Sequence, residues 1–165
     1  MSSNHRHEYE TKGEFMNIKE LIHLDLINLE LKATTKDTVI HELAGMLDQN
    51  HLLYNLEGFI DDIYERESIC STGIGFQIAI PHAKSVHVKV PSLVFGRSDE
   101  GIVYDSMDGD ISKLFFMIAM PEEGINSHLK VLAMLSRRLM HEDFRDQLKE
   151  AKTKSEVLEL IYTMN

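Results

Sequence analysis

The chain has 165 residues, 43% of them hydrophobic, a formal net charge of -10 and one cysteine. That length suits a single domain with a proper core, and the acidic balance argues against a nucleic-acid binder. Lone Cys70 excludes an internal disulfide, the longest apolar runs (Leu114 to Met120) are too short to cross a bilayer, and no charged segment followed by an apolar stretch opens the chain. A cytoplasmic location is expected.

Residues 1–14 lack apolar periodicity and read as a disordered tail, with one folded domain over 15–165. Ile18, Leu21 and Ile22 suggest a short helical turn, and Leu24, Leu26, Leu29 and Leu31 a first strand with imperfect alternation. Thr35 is a good N-cap for a helix burying Val39, Ile40, Leu43, Ala44 and Leu47. Asn55 caps a second helix with Phe59, Ile60 and Ile63 inward. It ends near Glu67, with Arg66 in its last turn. Ser71 to Gly75 reads as a flexible connection.

Strands follow near Gln77–Ile80, Ser92–Arg97 and Lys113–Met120, separated by turn signals at Asp99-Glu100-Gly101 and Asp108-Gly109-Asp110. Pro81 and Pro121 lack an N–H and end the first and last of these. Gly124 to Ser127 leads into a long helix with Leu129, Leu132, Leu135 and Leu139 inward. Asp143 is a cap for a short helix, and Thr153-Lys154-Ser155-Glu156 matches a capping box for the terminal one. Met117, Met120, Met134 and Met140 read as core filler. This order implies an α/β fold: a mixed sheet, parallel and antiparallel, with helices on both faces.

Three residues stand out for chemistry. His82 follows Pro81 at the rim of the sheet; there it is either a histidine that caps a turn or one with a ring nitrogen held by a hydrogen bond and the other exposed, as a nucleophilic imidazole requires. His128 falls in the first turn of a helix after another strand ended by proline; if those strands are neighbours, both histidines reach one crevice. Arg66, flanked by Glu65 and Glu67, is either a solvated charge or a bidentate partner for phosphate oxygens. No phosphate loop, GxGxxG, HExxH or cysteine cluster occurs. Metal binding by His82, His87 and His128 is the weaker alternative.

These residues carry a resemblance. Ser71-Thr72-Gly73-Ile74-Gly75 followed by Ile78-Ala79-Ile80-Pro81-His82-Ala83-Lys84-Ser85, with Phe95-Gly96-Arg97-Ser98, Tyr104 to Gly109, Leu114 to Ala119 and Ser127-His128-Leu129 downstream, is similar to the fructose–mannitol class of enzyme IIA. These are phosphocarriers of the bacterial phosphoenolpyruvate-dependent sugar phosphotransferase system, and the detail looks closer to the fructose branch. The resemblance implies that His82 accepts phosphate from phospho-HPr on Nε2, that His128 contacts the phosphoryl group, and that Arg66 lies near the site. It further implies an enzyme IIB as the next acceptor, with IIB and the membrane enzyme IIC on separate chains, an HPr whose docking face is basic, and no metal or other cofactor. The alternative is a regulatory, nitrogen-type IIA that controls partner proteins through its phosphorylation state. Bulky Phe76 and Gln77 depart from the small or polar residues common there.

Overall fold

The computed structural model describes residues 17–123 and 127–164, with Ser127 and His128 as backbone only. The expected tail at 1–14, the start of the folded domain at Phe15 and the Gly124–Asn126 lead lie outside the described residues.

Two 3₁₀ turns (Ile18–Glu20 and Leu24–Leu26) precede strand β1 (Ile27–Asn28). The apolar run from Leu24 to Leu31 thus yields a two-residue strand rather than a long one. Helices α1 (Lys36–Gln49) and α2 (Leu56–Ile69) follow. Thr35 caps α1 by accepting from Thr38 N, and Asn55 caps α2 by accepting from Gly58 N. The expected apolar faces of both helices are buried.

Strands β2 (Gly73–Gly75), β3 (Ile78–Ala79), β4 (His82–Ser85), β5 (Ser92–Ile102) and β6 (Ser112–Pro121) complete the sheet. The segment expected as a flexible connection therefore contains β2, paired antiparallel to β3. Asp99-Glu100-Gly101, expected as a turn, lies inside β5. The turn signal becomes a register irregularity between Arg97 and Ile102, with Gly101 at φ 84°.

The sheet order is β1-β5-β6-β3-β2, with β4 also on β6. Pairing is parallel for β1/β5, β3/β6 and β4/β6, and antiparallel for β5/β6 and β2/β3. The mixed sheet expected from the element order is present, with six strands where the apolar pattern marked four. Leu114 to Met120 are buried at seven consecutive positions of β6, so both faces of this strand are covered. Phe95 and Phe116 meet edge to face at 5.2 Å between ring centres.

Helices α3 (Ser127–Leu139), α4 (Glu142–Glu150) and α5 (Lys154–Tyr162) close the fold. Val131, Leu135 and Leu139 of α3 are buried, whereas Leu129, expected inward, is half exposed. Met140, expected as core, is exposed. Asp143 lies in the first turn of α4, and its N-cap is His141, which makes no side-chain capping bond. Thr153 caps α5 through Glu156 N, while the Glu156 carboxylate reaches back to Lys152 N instead of closing the box.

Candidate functional site

β3 and β4 are one interrupted strand. Ile78 lies opposite Leu114 and His82 opposite Ile118, so the register along β6 is the same before and after Pro81. Proline removes one donor, yet its carbonyl accepts Ile118 N at 3.0 Å and the pairing resumes at once. His82 is consequently the first residue of β4, not a residue beyond the sheet. The two strands bearing Pro81 and Pro121 are neighbours, as the single-crevice reading required.

Alternation along β4 buries Ala83 and Ser85 and turns His82 and Lys84 to the opposite side. There they line a cleft of about 480 Å³ with Asp62, Glu65, Arg66 and Ile69 of α2 and Leu129 and Leu132 of α3. Half-exposed Leu129 is thus a wall of this cleft. Ser85 Oγ donates to Asp62 Oδ2 at 2.5 Å and ties β4 to α2.

His82 Nδ1 lies 2.7 Å from the carbonyl oxygen of Ile80. A carbonyl can only accept, so Nδ1 carries the proton and Nε2 keeps its lone pair. Among the described residues Nε2 has no hydrogen-bond partner. Burial lowers the His82 pKa below the usual imidazole value. The Ile80 carbonyl opposes this, the Arg66 guanidinium lowers it further and the Glu67 carboxylate raises it. The result is a neutral ring with its free nitrogen in a cleft that also holds two cationic side chains.

Arg66 occupies the last turn of α2 as expected, and its Nη1 donates to the Cys70 carbonyl at 2.9 Å. One edge of the guanidinium is thereby fixed against the helix end, and among the described residues its other N–H groups have no hydrogen-bond partner. His128 falls in the first turn of α3, and its side chain lies outside the described residues. Among the described residues no group of three or more His, Cys, Asp or Glu side chains gathers to hold a metal.

Several participants escaped the sequence reading. The Ile80 carbonyl has no side-chain signal. Lys84 did have one: two residues after His82 in a strand means the same face. Glu67 also had one, since Ile60, Ile63 and Glu67 follow the spacing of one helical face, and that face is buried.

The fold is an α/β domain with a six-stranded mixed sheet and a histidine-bearing cleft at the edge of β4. Residues 20–164 match the family model "Phosphoenolpyruvate-dependent sugar phosphotransferase system, EIIA 2", and the chain belongs to that family of phosphotransferase components. It is 41% identical over 145 residues to a fructose-specific EIIA component of Haloferax volcanii, covering 88% of this chain and 94% of that protein. It is 42% identical over 146 residues to a fructose-specific EIIABC component of Bacillus subtilis, covering 88% of this chain and 23% of the longer relative. Among solved structures, the nitrogen regulatory protein IIA-Ntr of Neisseria meningitidis superposes with a TM-score of 0.81 at 27% identity, over 87% of this chain and 98% of that one. The Escherichia coli mannitol enzyme IIA, in complex with phosphorylated enzyme IIB, superposes with a TM-score of 0.74 at 27% identity, over 86% and 97%.

Proposed function

We propose that this protein carries phosphoryl groups for sugar uptake, accepting them from phospho-HPr on His82 Nε2 and passing them to an enzyme IIB that serves a fructose-type transporter. The observation that carries this reading is the His82 imidazole, with Nδ1–H donated to the Ile80 carbonyl and Nε2, which has no hydrogen-bond partner among the described residues, beside Arg66 in an open cleft. A neutral ring needs no separate base. The Nε2 lone pair forms the new N–P bond while the P–N bond of the donor phosphohistidine breaks, its electron pair returning to the donor ring. The Nδ1 proton stays on Nδ1, donated to the Ile80 carbonyl, throughout. Transfer of this kind asks mainly for in-line placement and charge stabilisation. Arg66 supplies donors to the non-bridging oxygens, and His128 is assigned the same task from its place at the start of α3. Both exchanged groups are histidines, so no metal is needed to activate either. This role belongs to the cytoplasm.

The regulatory reading has one specific observation behind it, the IIA-Ntr superposition. The 41–42% identity to two fructose-specific components favours transport. Incubation with phosphoenolpyruvate, enzyme I and HPr should place an acid-labile, base-stable phosphoryl group on the protein, absent in His82→Ala. Label that survives this substitution overturns the assignment. Onward transfer to a fructose-type enzyme IIB then separates transport from regulation.

A further inference from the structure

Behind the cleft lies a buried carboxylate that the chemistry above leaves unused. The Glu67 side chain is 5% exposed and its Oε1 is 3.0 Å from Lys36 Nζ, reaching across from the first turn of α1. The same carboxylate accepts the Thr72 backbone N–H at 3.1 Å and the Thr72 hydroxyl. Lys36 also lies over the Tyr104 ring, 4.7 Å from its centre, and the Tyr104 hydroxyl is 3.3 Å from Thr72 Oγ1. Replacing a buried ion pair by apolar side chains is often neutral or stabilising, so this pair is poorly explained by stability alone.

Its connections run to the site. The Thr72 carbonyl accepts Ile80 N–H at 2.9 Å, and the Ile80 carbonyl accepts His82 Nδ1–H at 2.7 Å. An unbroken chain therefore leads from Lys36 through Glu67, Thr72 and Ile80 to the imidazole. Glu67 is also the residue next to Arg66, so anchoring it anchors the helical turn from which the guanidinium projects. We infer that Glu67, clamped by Lys36, is a positioning residue for His82: it fixes the Thr72–Ile80 segment whose carbonyl sets the tautomer and aim of the nucleophilic ring. This rests on the phosphocarrier reading above.

Three substitutions test it: Glu67→Gln, Lys36→Met and Thr72→Val. Each is followed by thermal melting, by the ring ¹⁵N shifts of His82 across pH, and by the rate of phosphoryl uptake from phospho-HPr at a temperature where the variant is folded. Among the described residues the charged and titratable groups facing His82 are Asp62, Glu65, Arg66 and Glu67 from α2 and Lys84 from β4; α3 adds Leu129 and Leu132 to the cleft. Removing the Glu67 charge should lower the His82 pKa, and removing the Lys36 charge should raise it, because the remaining carboxylate is no longer offset. Displacement of a reacting group on the ångström scale costs up to about a hundredfold in rate, so Glu67→Gln should slow uptake by about tenfold or more. Coupling along one chain predicts that Glu67→Gln/Thr72→Val is no slower than Glu67→Gln alone. If Glu67→Gln does not fold, Lys36→Met and Thr72→Val decide. Variants that melt earlier yet keep the wild-type His82 titration, Nδ1–H tautomer and uptake rate would reduce the network to a brace and overturn the inference. A wild type that takes no label defeats the phosphocarrier reading instead, while the titration still reports on the coupling.

Discussion

At His82 burial and a neighbouring guanidinium push the imidazole toward its neutral form, while one backbone carbonyl and one carboxylate pull the other way. The net lowering has two consequences. The His82 ring stays unprotonated at pH values where a free imidazole, with a pKa of about 6.5, is already half charged. Phosphoryl uptake, measured with donor protonation controlled, should therefore persist below that pH. The second consequence is a stability effect. Because the folded-state pKa lies below the unfolded one, the unfolded chain binds more protons between the two values. Stability falls as pH drops from about 6.5 toward the folded pKa, and above that range the ring contributes no pH dependence. Denaturant melts at a series of pH values should show this loss in the wild type and not in His82→Gln. Arg66→Ala should raise the His82 pKa, because a cation beside the ring is removed, and still slow transfer by about a hundredfold through loss of a charged donor. An unchanged rate together with an unchanged titration would remove Arg66 from the site.

Close packing joins helix α1 to strand β5. Gly96 of β5 has no side chain, and a Cβ there would lie 2.8 Å from Leu43 Cδ2 of α1 and 2.9 Å from Leu31 Cδ1. Leu43 is fully buried, so Gly96→Ala makes these leucine side chains or the helix shift within a packed interior. Overpacking of this kind typically costs about 1–3 kcal/mol, readable as a lower denaturant midpoint. The next residue works differently. Arg97, on the same strand, donates from Nη1 to the carbonyls of Leu148 and Ala151 at 3.0 and 2.6 Å. It thereby satisfies orphan acceptors at the C-terminal end of α4. Arg97→Met keeps the apolar stem but strands those carbonyls, and should destabilise by about 1–3 kcal/mol in the same measurement. Helix faces and caps were readable from spacing because 3.6-residue periodicity survives in a window of a dozen residues. The short strands were not. β2 and β4, with three and four residues, are made by pairing with partners far along the chain, which local pattern does not encode.

For the whole molecule the decisive quantity is charge. A net charge of -10 steers a basic partner toward the protein over long range, and that steering is screened by salt. Raising ionic strength from about 0.1 M to about 1 M shortens the Debye length from about 10 Å to about 3 Å. Second-order transfer from phospho-HPr should slow markedly over this range, whereas phosphorylation by phosphoramidate, a small donor with no docking surface, should change little. Equal salt dependence for both donors would mean that charge does not guide the encounter. The cleft itself is walled by Ile69, Leu129 and Leu132 and rimmed by Asp62, Glu65 and Lys84, an apolar floor with mixed charge around it. Among the described residues no helix is long and apolar enough to cross a membrane.

The local residues left Arg66 open between a solvated charge and a phosphate partner, and only the family resemblance placed it near the site. By itself the sequence determined the class of fold, the caps and buried faces of α1 and α2, and His82 as a candidate at the end of an apolar strand. It could do so because each of these rests on a short pattern: a helical repeat, a capping residue, a proline after an apolar strand. Only the tertiary structure decided that the strand continues through Pro81 in the same register, that Ile80 supplies the carbonyl for Nδ1, and that Glu67 turns inward onto Lys36 and Thr72. The register on β6 and the Lys36–Glu67 pair join segments far apart in the chain, and such partners leave no trace in local spacing. The Ile80–His82 and Glu67–Thr72 bonds are between near neighbours, yet they follow from the backbone shape that this long-range pairing imposes.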